Sequence, residues 1–117
     1  MKIDNTILHE LQALRNAQDE PDFMHSITDA VYKYTESLIK EAYEQIITPL
    51  PTPAVAPDGI GGLVIEWKQE YLTVRLIVQP DNKYIYNNDG KRGFVTHDTH
   101  STVLANTLQS LFTNEFP

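Results

Sequence analysis

Apolar positions at spacings of three and four open the chain. Ile7, Leu8, Leu11 and Leu14 predict a helix over residues 4–18, with Asp4 or Asn5 placed to cap its start. Pro21 then breaks the "AQDEPD" segment, because a helix interior needs the N–H that proline lacks. A longer stripe follows: Phe23, Ile27, Ala30, Val31, Tyr34, Leu38, Ala42 and Ile46. It predicts a second helix over 21–48, with Pro21 at a first helical position and Pro49 and Pro51 as the stop. Asp19, Glu20 and Asp22 put negative charge near its start, and Glu36 with Lys40 makes a favourable pair one turn apart. Ile39, Tyr43 and Ile47 widen the stripe. A stripe of that width calls for contact on two sides: a sheet, and either the first helix or another chain.

The period then changes to two. Leu63, Ile65 and Trp67 alternate with Val64 and Glu66; Leu72, Val74, Leu76 and Val78 alternate with Thr73, Arg75 and Ile77. Each run is the signature of a half-buried strand. "KQE" reads as the hairpin connection between them, and "QPDNK" as a turn with Pro80 where a type I turn wants its fixed φ. "KYIYN" and "GFVTH" are the next strands, joined through "NNDGKR", whose Asp89-Gly90 points to a type I′ turn. Val103, Leu104, Leu108, Leu111 and Phe112 predict a last helix over 99–113, capped by Asp98 or Thr99.

An antiparallel sheet with one apolar face needs cover, and amphipathic helices supply it. The order predicts an α+β fold: two N-terminal helices, a three- to four-stranded antiparallel meander and a C-terminal helix, with helices packed on one face. The chain reads as a single domain, 1–117, with a helical part at 1–48, a stiff proline-rich connection at 49–61, and the sheet with the last helix at 62–117.

Composition narrows the function classes. With no cysteine, disulfides, thiol nucleophiles and thiolate metal sites are out. No apolar run is long enough to span a membrane, and "MKIDNTILHELQ" lacks the apolar core of a signal peptide. The expected location is the cytoplasm. The net charge is −7, and nine of the 16 acids lie in residues 1–50 against four bases. That balance disfavours nucleic acid, which needs a basic patch. It fits solubility by like-charge repulsion.

Candidate chemistry is sparse. "GIGG" at 59–62 resembles a phosphate loop, but a dinucleotide fingerprint would need glycine at Val64 and a helix after it. The flanks here are prolines and a strand, so the glycines are expected to turn the chain into the sheet. "THDTH" at 96–100 brings His97, Asp98 and His100 together, residue types that ligate metals. A third or fourth ligand would have to come from elsewhere, and the remaining histidines are His9 and His25. A polar turn into a helix explains the same residues. Glu41 with Glu44, and Glu66 with Glu70, are acid pairs without a visible pocket. Trp67, Tyr71, Tyr84, Tyr86 and Phe94 cluster in the sheet region. An RNA platform would show a basic, patterned surface. Cross-strand packing, or a protein-binding surface, fits them better.

Residues 51–87 carry a resemblance. Pro51, Pro53, Gly61, Gly62, Glu66, Trp67, Pro80, Asp81, Tyr84 and Tyr86 match a Pro-x-Pro…Gly-Gly…Glu-Trp…Pro-Asp…Tyr signature. It is similar to that of a family of small uncharacterised bacterial proteins. Asn82 stands where that pattern has glycine, and Ile85 separates the tyrosines. The resemblance implies an accessory partner, sometimes encoded beside toxin-like genes, and implies no catalytic residues.

No catalytic, cofactor or metal residue is therefore assigned. The expectation is a non-enzymatic bacterial interaction protein, antitoxin-like or regulatory, with a protein partner and a homodimer through the helix 21–48. The alternative is a small-molecule or metal-binding protein, or a small enzyme, with a pocket between helices and sheet.

Overall fold

A computed structural model describes residues 5–17 and 27–112. The elements are α1 (Asn5–Ala17), α2 (Asp29–Glu44), β1 (Ala54–Pro57), β2 (Leu63–Gln69), β3 (Leu72–Val78), β4 (Lys83–Asn88), β5 (Gly93–Thr96) and α3 (Ser101–Phe112). The strands form one antiparallel meander in the order β1-β2-β3-β4-β5. The α+β class is as expected, but the sheet has five strands, one more than the largest count the pattern gave.

The extra strand lies inside the proline-rich connection. Ala54–Pro57 pairs with Leu63–Glu66, and Asp58-Gly59-Ile60-Gly61-Gly62 is the hairpin turn between them. Prolines lack the donor a central strand needs, so this segment can only be an edge, and an edge it is. Gly59 and Gly61 take left-handed φ values of 86° and 94°, which closes the turn. "GIGG" is thus a hairpin turn, as its flanks require.

The second helix is shorter than its apolar stripe. Ile27 and Thr28 are not helical. Thr28 is the cap, and its hydroxyl accepts from the Val31 N–H at 3.3 Å. The helix stops at Glu44, before Pro49 is reached. Pro21, Asp22, Phe23 and His25, like Asp4, lie outside the described residues. The stripe is also rotated: Ala30 is exposed, whereas Val31, Tyr32, Thr35, Leu38, Ile39, Ala42 and Tyr43 are buried. Its width is used within the chain. Tyr43 meets the sheet by accepting from Trp67 Nε1 at 2.9 Å, and α2 packs on α3 and α1. The Glu36–Lys40 pair forms at 3.0 Å.

Three turns differ from expectation. Lys68 and Gln69 belong to β2, so the β2–β3 connection is Glu70-Tyr71 rather than "KQE", with Glu70 at a left-handed φ of 56°. The connection from Asn88 to Gly93 is a four-residue loop in which Gly90 alone has positive φ, so it is not a type I′ turn. The Asp89 carboxylate holds it by accepting from the Lys91 and Arg92 N–H groups at 2.9 and 3.3 Å. At α3, the first helical bond runs from the Leu104 N–H to the His100 carbonyl, so His100 occupies the cap position rather than Asp98 or Thr99. Thr99 instead shares a 2.7 Å hydrogen bond with the Tyr34 hydroxyl.

Alternation divides the sheet into two faces. Leu63, Ile65, Trp67, Val74, Leu76, Val78 and Ile85 are buried at 0% exposure and join the helix side chains in one core. That core includes Ile7 and Leu11 of α1, Val31 and Leu38 of α2, and Leu104 and Leu108 of α3. Burying such side chains is what stabilises the fold, at roughly 1.5–3 kcal/mol each. The other face carries Val64, Glu66, Thr73, Arg75, Ile77, Tyr84, Tyr86 and Val95, and no helix among the described residues lies over it.

Candidate functional site: the open sheet face and a polar cleft

The register builds the open face in rows. One row runs Ala56, Val64, Ile77, Tyr84. The next runs Ala54, Glu66, Arg75, Tyr86, Val95. Directly opposed side chains on one face touch, and the rows show it. Arg75 Nε donates to Glu66 Oε2 at 2.6 Å, while its guanidinium sits 5.5 Å from the centre of the Tyr86 ring. Glu66 is therefore committed to Arg75 and does not pair with Glu70. The Tyr84 ring continues its row onto the His97 ring, 6.0 Å away and tilted by 55°.

Tyr86 also leans over Gly93, whose missing side chain leaves the room: a Cβ there would stand 2.7 Å from the ring. Asn88 Nδ2 donates to the Tyr86 hydroxyl at 2.9 Å and fixes the ring from the third row. Ile77 is only 6% exposed yet lies outside the main core. Its cover is the flanking side chains. Val64, Arg75, Ile77, Tyr84, Tyr86 and Val95 line a shallow depression of about 480 Å³. This face carries Glu66 against Arg75 and Lys68, so it does not share the acidity of the chain.

The second feature is a cleft of about 780 Å³ between α2 and the β5–α3 loop. Lys33, Ser37 and Glu41 reach it from one side of α2, and His97, Asp98, Thr99 and His100 from the loop. His100 Nδ1 and its own N–H meet Asp98 Oδ1 at 2.5 and 3.2 Å. The imidazole bond first, and the backbone bond second, hold the Asp98 carboxyl below its ordinary value. The structure thus brings His97, Asp98, His100 and Glu41 to one cleft. Among the described residues it forms no group of three acids or histidines placed for a metal ion. His9 is exposed on α1, away from this cleft. Lys33, Ser37 and Glu41 recur every four residues, a polar stripe that was available in the sequence as a pointer to this cleft.

Asp58 supports the sheet from its end. Its Oδ1 accepts from the Ile60 and Gly62 N–H groups, both at 2.8 Å, and its Oδ2 from Gln79 Nε2 at 3.0 Å. Burial pushes the carboxyl up, but these three bonds together outweigh it and hold the group below its ordinary value.

The five aromatics of the sheet region separate into distinct roles. Trp67 is core; Tyr84 and Tyr86 are half-buried on the open face; Tyr71 and Phe94 are 65% and 47% exposed at a hairpin and at the β5 edge. Comparison with family models, with curated proteins and with solved structures finds no match to this chain. No helix among the described residues is long and apolar enough to cross a membrane.

Proposed function

We propose that the chain is a non-enzymatic, protein-binding domain, and that its open sheet face receives the partner. The observation that carries this reading is the pair of rows through Val64, Ile77 and Tyr84, and through Arg75, Tyr86 and Val95. Tyrosine and arginine next to apolar side chains are the residue types that anchor protein interfaces, since each offers a large apolar body with a polar end. Hydrogen bonds and ring contacts hold these side chains in place, so little freedom is lost on docking. The signature at residues 51–87 supports a regulatory, antitoxin-like role in a bacterial cytoplasm.

The test is affinity capture from the source cells with the wild type and with a Tyr84→Ser/Tyr86→Ser variant. The expected result is a partner retained by the wild type and lost by the variant, while thermal unfolding of the variant stays cooperative. A partner that ignores both substitutions refutes this assignment. A second reading places a small molecule in the cleft beside the Asp98–His100 pair. Native mass spectrometry of the same purified protein separates the two readings: a retained adduct that His100→Ala removes favours the cleft.

A further inference from the structure

The two edges of the sheet differ. At β1, Pro53 precedes the strand, Pro57 is its last residue and α1 lies against it; missing donors and a covering element are the usual guards of an edge. At β5, among the described residues, there is neither. Gly93–Thr96 is a terminal strand with no proline, and Phe94 and Val95 are 47% and 54% exposed. An unguarded edge presents N–H and C=O groups to any strand that fits.

We propose that β5 pairs antiparallel with β5 of a second copy of this chain, about a two-fold axis through Val95. Charge selects this occupant and this register. Arg92 precedes the strand, its guanidinium 5.1 Å from the Phe94 ring, and Asp98 follows it with one carboxylate oxygen bonded to His100; both are exposed, and Asp98 Oδ2 is the oxygen left for Arg92 of the second copy. An antiparallel copy centred on Val95 sets Arg92 opposite the partner's Asp98, and does so at both ends. Phe94 then faces the partner's Thr96, Gly93 the partner's His97, and Val95 its own counterpart. Parallel pairing would put like charges side by side. The adjacent symmetric register, centred on Phe94, would face Arg92 with threonine and Asp98 with Gly90, and lose both ion pairs. Unlike charges directly opposed stabilise a strand pair and like charges destabilise it. The axis is normal to the sheet, so the two open faces become one continuous surface. The pairing does not depend on what binds that surface.

A four-residue edge buries little area, so the dimer is expected to be concentration-dependent. The net charge of −7 on each copy opposes association, and physiological salt screens that repulsion. The experiment is a sedimentation series at that salt into the millimolar range, with Arg92→Asp, Asp98→Arg and the double exchange. Each single variant is expected to weaken association roughly tenfold, by setting like charges together twice per dimer, and the double exchange to restore it. A Val95→Cys variant supplies a second readout, because the chain has no other cysteine. It is expected to form a disulfide dimer under mild oxidation, whereas Ile47→Cys, 87% exposed beyond α2, is not. Any of three results overturns the proposal: a monomer throughout the series, a dimer indifferent to Arg92→Asp, or a cross-link at residue 47 in place of 95.

Discussion

The two faces of this sheet are made by the same strands and differ in what covers them. On one face, Ile65 is sealed beneath helices at 0% exposure. On the other, Ile77 is 6% exposed, sheltered by its cross-strand neighbours Val64 and Tyr84. Nearly equal burial thus has two origins. Helix cover belongs to a close-packed core that cannot collapse around a deletion. Side-chain cover belongs to a surface that rearranges, takes up water or receives a partner. Low exposure alone does not separate a core residue from a prepared binding face; the covering element does.

The strongest way to break that comparison is to delete the same atoms from each face. Ile65→Ala is expected to cost about 4 kcal/mol, because helices and strands hold the cavity open. Ile77→Ala is expected to cost about 2 kcal/mol, because the tyrosines can settle into the gap. Equal shifts of the urea midpoint at unchanged slope would show that the faces are energetically alike.

A smaller effect is expected at Asp58, which ties the β1–β2 turn to Gln79 on both sides of the sheet's end. Asp58→Ala removes three accepted hydrogen bonds from a partly exposed group, at about 1–2 kcal/mol near neutral pH. The folded carboxyl titrates below its ordinary value of 3.8, so the unfolded chain takes up the proton first. The contribution is therefore complete above that value and fades as pH falls through the lower folded one. Unfolding curves of wild type and variant should converge in acid; a gap that widens there would contradict the sign.

The smallest effect belongs to the open face itself. Glu66→Gln removes the ion pair to Arg75, whose side chain is 47% exposed. The expected cost is under about 1 kcal/mol and shrinks further with added salt. A larger loss would mean that the rows on the open face carry stability as well as shape.

Much of the fold was legible because periodicity reports burial directly. The alternation of β2 and β3 set Leu63, Ile65, Trp67, Leu76 and Val78 apart from Val64, Glu66, Arg75 and Ile77, and the first set lies in the helix-covered core. The turns were legible as turns but not by type: Asp89 anchors a longer loop through its own carboxylate, which no dipeptide rule specifies. β1 is not legible in the sequence because prolines mark an edge strand and a connection alike. The start of α2 is not legible from the stripe, because an apolar residue just outside a helix, Ile27, extends the stripe without extending the helix. Of the candidate sites, the proximity of His97, Asp98 and His100 was visible in "THDTH". Glu41 and Lys33 joined them only through the packing of α2 beside that loop.

What the sequence determined by itself is the class of every segment except β1, and the division of each strand from β2 onward into two alternating faces, since both follow from local steric preference and from the water-avoiding period of the chain. What only tertiary structure decided is which faces meet. Register placed Tyr84 and Tyr86 in rows with Ile77 and Arg75, and helix packing left those rows uncovered. The reason is physical: a strand's alternation fixes two opposite faces, but which one is sealed depends on contacts between segments far apart in the chain.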